Sequence, residues 1–395
     1  MSIRFLPVVA SVVFSTVLSL SAAAQSTPKL IPAPPEVAAT AHLLLDAKSG
    51  MILAENNADQ QLPPASLTKM MTSYIMSYEM ARGNVKPTDM VKISKNAWAQ
   101  NPIFRGSSLM WIEVGSEVAV EDLHRGVIIS SGNDATVAVA EHLAGSEAAF
   151  ADVMNQHAQV MGMTNTHYVN SHGLPADGHL TTARDLSILA KHIINDFPED
   201  YKLYSERSFT YNGIRTPNRN TLLGGQLGVD GLKTGHTSEA GYCLVTSAEK
   251  NGMRLISVVM GTDSTRARQV ESSKLLNYGF RFYETPQLYK SGEQLTEATL
   301  WGAARNSVRL GINQDVFATI PRGSRSDLQA NMTLDKVIKG AVVEGQAYGE
   351  LVVTLGDETV VKLPVVALES IDEAGFFGRL FDAIKLFFMQ LFGAI

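Results

Sequence analysis

Pro63-Pro64-Ala65-Ser66-Leu67-Thr68-Lys69-Met70-Met71 breaks the chain at two prolines and then opens a run with Met70, Met71 and Tyr74 at helical spacing. The pattern predicts a helix that begins near Ser66 and carries Ser66 and Lys69 on one face, one turn apart. A serine hydroxyl attacks poorly until a neighbouring base takes its proton. A lysine is such a base only as the neutral amine, a state favoured by partial burial and by a nearby cation such as Lys233. The start of the helix adds free backbone N–H groups and a positive dipole end, both suited to an oxyanion.

Two further triplets follow in order, Ser131-Gly132-Asn133 and Lys233-Thr234-Gly235. A serine three residues before a lysine recurs by chance in long chains, and Ser131-Gly132-Asn133 alone reads as a plain turn. Their joint occurrence gives each of them weight. In a turn between helical stretches, the Ser131 hydroxyl can relay a proton and the Asn133 amide can hold a peptide carbonyl. Lys233-Thr234-Gly235 precedes His236-Thr237 and a strand-like Gly241 to Val245. A sheet edge with a glycine lets an extended substrate approach and pair as an added strand. Lys233 and Thr234 can bind a carboxylate there. The His236 N–H can complete an oxyanion hole with that of Ser66, while the His236 side chain reads as structural.

Around these motifs, His42 to Asp46 and Met51 to Glu55 flank Lys48-Ser49-Gly50 as a hairpin, and Tyr242 to Ala248 and Leu255 to Met260 flank Asn251-Gly252 as another. Residues 116–195 read as helical. Strands come first and last with helices between, an α/β (α+β) layout with an antiparallel sheet flanked by helices. A break at Glu284-Thr285-Pro286 opens a small all-β domain over residues 285–370. Its runs are Ser307 to Leu310, Val316 to Ile320, Leu351 to Leu355 and Val360 to Val366, the last two joined by a Gly356-Asp357 turn.

The 395 residues are 45% apolar and 18% charged, ample for a packed core in two domains. The 33 basic and 39 acidic residues give a net charge of −6, and no basic stripe invites nucleic acid. Cys243 is the one cysteine, so no internal disulfide forms, and its strand context makes it a small buried hydrophobe. His157, His167, His172 and His179 lack zinc-protease spacing, so neither a metal nor a cofactor is expected. Residues 1–24 read as a secretory signal, with Arg4, an apolar Phe5 to Leu20 and Ala22-Ala23-Ala24, followed by a Pro-rich linker over 25–38.

Residues 373–395 form a terminal amphipathic helix. Phe377, Leu380, Phe381, Ile384, Phe388, Leu391, Phe392 and Ile395 share one face, opposite Arg379, Asp382, Lys385 and Gln390. Four polar residues make spanning a bilayer expensive, so an in-plane anchor fits better than a crossing. The bland reading is a helix docked on a core.

Taken together, the three motifs and the C-terminal arrangement resemble the low-molecular-mass penicillin-binding proteins, serine-type D-alanyl-D-alanine carboxypeptidases of peptidase family S11. The resemblance implies a penicillin-recognising serine hydrolase domain over 39–284. Ser66 would be the acylated nucleophile, Lys69 its base, and Ser131 and Asn133 the proton relay and substrate holder. Lys233, Thr234, Gly235 and the His236 backbone would line the carboxylate side. Arg268 stands where similar carboxypeptidases keep an arginine for the terminal D-alanine carboxylate, a bidentate task for a guanidinium fork, with Arg266 as rival. His172 matches a family loop and reads as a loop-bracing hydrogen-bond donor.

The implied partners are peptidoglycan stem peptides, β-lactams at the same serine, and the inner-membrane surface. In a two-membrane envelope that means an exported enzyme, peripheral on the periplasmic face of the inner membrane. Three alternatives share the motifs: a D,D-endopeptidase, a serine β-lactamase and an inactive penicillin-binding scaffold. Against the β-lactamase, no glutamate lies between Glu147 and Glu199 to activate a deacylating water.

Overall fold

The computed structural model describes residues 31–392. The signal expected over 1–24 lies outside the described residues. The expected linker is described from Ile31 onward, where Tyr278 Oη donates to the Pro32 carbonyl at 3.0 Å.

β1 (Ala41–Asp46) and β2 (Ile52–Asn56) form the first hairpin. In its turn, Asp46 Oδ1 accepts the N–H groups of Lys48 and Ser49, both at 2.9 Å. A 3₁₀ turn (Ala65–Thr68) then feeds α1 (Lys69–Ala81), whose first nine residues are all buried. β3 (Met90–Lys92) pairs with β4 (Glu117–Ala119), and α2 (Val120–Arg125) leads into a π-helical turn, Gly126–Ser130. α3 (Asn133–Ala144), α4 (Glu147–Met161), α5 (Ala183–Asp196) and a short α6 (Pro198–Tyr201) follow. After the hairpin of β5 (Ser208–Tyr211) and β6 (Ile214–Pro217) come β7 (Val229–Thr237), β8 (Gly241–Lys250), β9 (Met253–Thr262) and α7 (Thr265–Phe282).

The five-stranded sheet has the order β2-β1-β9-β8-β7 and is antiparallel throughout. Both faces are covered, which explains the unbroken apolar runs Leu43-Leu44-Leu45 and Val258-Val259-Met260. Alternate residues face opposite ways. Leu43, Leu45, Ile256 and Val258 pack with the helices α1, α3 and α5, while Leu44, Leu255 and Val259 pack with Leu275 and Leu276 of α7.

The continuous helical reading of residues 116–195 does not hold. Its first residues form β4, Ser131 and Gly132 interrupt it, and residues 162–182 contain no helix. Gly162, Gly173 and Gly178 take positive φ there, and Pro175 denies the segment a helical N–H donor. The segment is pinned instead by bridges from Leu62 to Thr181 and from His167 to Leu180.

Beyond α7 the described chain is strands, with one 3₁₀ turn (Arg325–Asp327), until its last helix. β10 (Tyr283–Glu284), β11 (Gln287–Tyr289), β12 (Gln294–Trp301), β13 (Ser307–Gly311), β14 (Val316–Phe317) and β15 (Ile320–Pro321) come first. β16 (Leu328–Leu334), β17 (Ile338–Lys339), β18 (Ala347–Leu355) and β19 (Glu358–Ala367) complete the set. Six of them form a sheet in the order β16-β18-β19-β13-β12-β17 around a separate core that includes Leu310, Ile338 and Val365. The Gly356-Asp357 turn joins β18 to β19. This part is fastened to the first by hydrogen bonds from Thr285 Oγ1 to Asp46 and from Arg322 Nη2 to the carbonyls of Phe280 (2.7 Å) and Tyr283 (2.9 Å).

α8 (Phe376–Leu391) ends the described chain. Its polar side docks on the β-rich part: Asp382 Oδ2 accepts the Gly302 N–H at 2.7 Å, and Lys385 Nζ lies 5.4 Å from the centre of the Trp301 ring. Leu386 is 4% exposed, whereas Phe377, Leu380, Phe381, Ile384, Phe388, Leu391 and Phe392 all face solvent. Ile395, expected on the same face, lies outside the described residues. Among the described residues no helix is long and apolar enough to cross a membrane.

Candidate active site

A cleft of about 370 Å³ gathers Ser66, Ser131, Asn133, Thr234, Gly235, His236 and Arg268 from the three motifs and the start of α7. Ser66 sits in the 3₁₀ turn, not within the α-helix. Side chains three residues apart eclipse in a 3₁₀ turn, so the expected alignment with Lys69 is kept by a tighter geometry. The two functional atoms, Ser66 Oγ and Lys69 Nζ, are 3.2 Å apart.

Lys69 is 1% exposed and its Nζ donates to Asn133 Oδ1 and to the His172 carbonyl, both at 2.6 Å. Burial lowers its pKa from 10.5 to about 7, helped by the Arg219 guanidinium and opposed by Asp134 and Glu147. Arg219 is a cation near Lys69 that the sequence did not suggest, and Lys233, which it did, is coupled to Lys69 by mutual repulsion. Lys233 is itself held well below its ordinary range, by burial first and then by Lys69. A neutral amine has two hydrogens and one lone pair. With both hydrogens on the 2.6 Å acceptors, the lone pair of Lys69 is left for the Ser66 hydroxyl.

Ser131 ends the π-helical turn at φ +56°, a conformation that costs a non-glycine residue about 1–3 kcal/mol. That bend turns its Oγ to accept from Lys233 Nζ at 2.9 Å. Asn133 opens α3, and besides accepting from Lys69 its Nδ2 donates to Ser107 Oγ at 2.8 Å. Next to it, buried Asp134 accepts four backbone N–H groups, those of Met110, Trp111, Ile112 and Ala135. These bonds hold the strand-less segment that brings Ser107 and Ser108 to the cleft.

On the opposite wall, Gly235 is glycine for a reason the sequence did not reveal. A Cβ there would lie 3.0 Å from the Pro64 carbonyl and 3.1 Å from Leu67, so β7 packs directly on the Ser66 turn. His236 is exposed and its ring stacks on Tyr242 with centroids 3.9 Å apart. Arg268 is 4% exposed; its Nη1 donates to the carbonyls of Gly235 (3.0 Å) and Cys243 (3.4 Å), and its Nε has no partner. Arg266 is exposed and does not line the cleft. Cys243 is buried with its thiol pushed up to about 11 by burial, which makes it a poor nucleophile.

His172 braces its loop differently from expectation, because its Nδ1 accepts the Leu174 N–H at 3.0 Å. Burial takes its pKa down to about 3, with Lys69 adding to the effect, so the ring is neutral. Sequence reasoning missed three residues. Arg219 lines the cleft and donates to Ser108 Oγ at 2.7 Å. Its signal was the bracketing pair Asn218 and Asn220, turn-forming residues whose amides donate to the carbonyls of Glu206 and Gly231. His179 joins its loop to the Ser66 turn through Thr68 Oγ1 at 2.8 Å. Glu147 reaches Ser171 Oγ at 2.7 Å. Among the described residues, no three His, Cys, Asp or Glu side chains are grouped to hold a metal ion.

A serine and two buried lysines meet at a cleft walled by the edge strand β7, an arrangement suited to nucleophilic attack by the serine. The sequence matches the D-alanyl-D-alanine carboxypeptidase family (peptidase S11) over residues 28–264, and the C-terminal domain of penicillin-binding protein 5 over residues 283–373. The chain belongs to the peptidase S11 family of D-alanyl-D-alanine carboxypeptidases. It is 45% identical over 367 residues to the D-alanyl-D-alanine carboxypeptidase DacA of Escherichia coli K12, covering 92% of this chain and 91% of that one. Its fold is similar to penicillin-binding protein 5 of Haemophilus influenzae, with TM-score 0.83 and 44% identity over 87% of this chain and all of that one. Penicillin-binding protein D2 of Listeria monocytogenes, solved in an ampicillin-bound form, is 31% identical with TM-score 0.56, over 63% of this chain and all of that one.

Proposed function

We propose that this chain is a serine-type D-alanyl-D-alanine carboxypeptidase that removes the terminal D-alanine from peptidoglycan pentapeptides. Ser66 Oγ attacks the carbonyl between the two D-alanines as Lys69 Nζ takes its proton. The N–H groups of Ser66 and His236 face the resulting oxyanion. As the tetrahedral centre collapses, the C–N bond breaks and Ser131 Oγ, hydrogen-bonded to Lys233, passes its proton to the leaving amine, and the proton that Lys69 took from Ser66 replaces it on Ser131, leaving Lys69 neutral again. Water then attacks the ester carbonyl and returns the proton to Ser66 Oγ, freeing the shortened peptide. Asn133 holds the peptide, while Thr234, Gly235 and Arg268 form the wall that receives the terminal carboxylate.

The observation that carries this reading is the approach of Lys69 Nζ to Ser66 Oγ, with the other Lys69 bonds directed at two acceptors. A buried arginine in the cleft supports a substrate with a free terminal carboxylate over the cross-link expected of an endopeptidase. Release of free D-alanine from a pentapeptide ending in D-Ala-D-Ala, abolished in Ser66→Ala, tests it. Retained release in that variant would sink the assignment of the nucleophile.

β-Lactams acylate the same serine, and the adduct is long-lived because, among the described residues, no glutamate lines the cleft to deacylate it. The protein is exported and rests on the membrane through the apolar face of α8, on the periplasmic side of the inner membrane in a two-membrane envelope. Support comes from the aromatic face that α8 leaves exposed while its polar side is docked.

A further inference from the structure

We propose that Glu147 is a positioning residue for the base: it holds the Ser171-His172 segment so that the His172 carbonyl aims the Lys69 amine at Ser66. The proposal rests on the reading of Lys69 as that base.

Glu147 is the first residue of α4 and belongs to none of the three motifs. Its Oε1 accepts the Ser171 hydroxyl at 2.7 Å and the Ser171 N–H at 3.1 Å. The same oxygen faces His172 Nε2 at 3.3 Å. Because Nδ1 of that neutral ring accepts the Leu174 N–H, its proton sits on Nε2, toward the carboxylate. One carboxylate oxygen therefore takes two donors from Ser171 and lies beside the ring of the next residue, whose Nε2 makes no hydrogen bond. From the other side, Thr72 Oγ1 of α1 donates to the Ser171 carbonyl at 2.7 Å. Between these two clamps lies the His172 carbonyl, the acceptor for one of the two hydrogens of a neutral Lys69.

Losing that acceptor frees the amine to turn, and its lone pair leaves the line to Ser66 Oγ. Displacements on this scale slow a reaction steeply. Glu147 also acts by charge. Lys69 is faced by Asp134 from α3, Glu147 from α4, His172 and His179 from residues 162–182, Arg219 ahead of β7 and Lys233 on β7. Of these, Asp134 and Glu147 favour the ammonium form. The sequence reading excluded a deacylating glutamate between Glu147 and Glu199, and the carboxylate at the edge of that interval is engaged in holding backbone.

The test measures penicillin acylation rate and the pH profile of D-alanine release for the full chain and two variants. Glu147→Ala loses both the clamp and the charge, and acylation should slow by roughly ten- to a hundredfold. Glu147→Gln keeps an acceptor oxygen for Ser171 and loses only charge. It should retain most of the acylation rate while its acid limb moves to lower pH. Wild-type acylation in a folded Glu147→Ala, or equal losses in both variants with an unmoved acid limb, would overturn the proposal. Should Glu147→Ala not fold, Glu147→Asp, which keeps the charge and draws the carboxylate back from Ser171, decides instead: slowed acylation supports the proposal and wild-type acylation overturns it. Lys69→Met separates the two readings. Continued acylation there removes the base and this proposal together, whereas lost acylation beside an unaffected Glu147→Ala overturns only the role of Glu147.

Discussion

Arg268 Nη1 donates to the carbonyl of Gly235 at 3.0 Å, so the first turns of α7 are tied to the strand that walls the cleft. The arginine is thereby held with its free Nε in a nearly closed setting. Charge-assisted bonds from such a fork are strong, and a lysine cannot reproduce its geometry. Arg268→Lys should raise KM for D-Ala-D-Ala peptides by about tenfold or more, with a smaller change in kcat. A peptide amidated at its C-terminus should be turned over equally poorly by both proteins. A wild-type KM in the variant would move the carboxylate contact elsewhere.

The lowered pKa of Lys69 sets the acid limit of activity. The amine must be neutral to take the Ser66 proton, and it protonates as pH falls through about 7. kcat/KM should therefore fall below that pH and hold above it until another group titrates. Arg219→Gln removes a cation that disfavours the ammonium, so the limb should move to higher pH. A limb that stays in place would show that Arg219 takes no part in setting the value.

Gly173 and Gly178 offer a paired measurement on one loop. Both have positive φ, +89° and +77°, but a Cβ at Gly173 would lie 1.8 Å from the Ala65 carbonyl, and one at Gly178 would meet nothing within 4 Å. Gly178→Ala should cost about 1–2 kcal/mol, the strain of the left-handed backbone alone. Gly173→Ala should cost about 3 kcal/mol or more and slow acylation, since it displaces the turn that carries Ser66. Thermal unfolding and penicillin labelling read the two effects, and equal losses at both positions would refute the role of the close contact.

Replacing Phe377, Phe381 and Phe388 together by serine should release the protein from lipid vesicles and leave D-alanine release unchanged. Each exposed ring buries apolar area in the bilayer interface at about 25 cal/mol per Å². Leu386→Ser, by contrast, strikes the docked side of α8 and should loosen the helix from Trp301 without loss of vesicle binding. Co-sedimentation that persists in the triple variant would rule out the aromatic face as the attachment.

The sheet hairpins were legible because turn residues separate runs with strand character, as in Lys48-Ser49-Gly50 and Asn251-Gly252. The motif residues were legible because their chemistry depends on short spacing. β12 and β16 were not, since Gln294–Trp301 and Leu328–Leu334 mix polar and apolar residues on strands largely open to solvent. Residues 162–182 read as helix because local apolar content says nothing of the distant bridges that pin them. Arg219, His179 and Glu147 were missed for a related reason. Each makes its bond to a partner between 24 and 111 positions away.

Cys243 stands opposite Gly235 in the β7–β8 pairing and is completely enclosed. With one thiol in 395 residues, a thiol-selective probe that reacts must have reached that strand pair. The rate of modification is thus a clock for the parting of the wall that carries Lys233 and Thr234. Ligands that seat against this wall should slow the clock in proportion to how firmly they close it. The chain thus carries its own gauge of cleft opening, readable by the mass that one thiol gains without any engineered reporter residue.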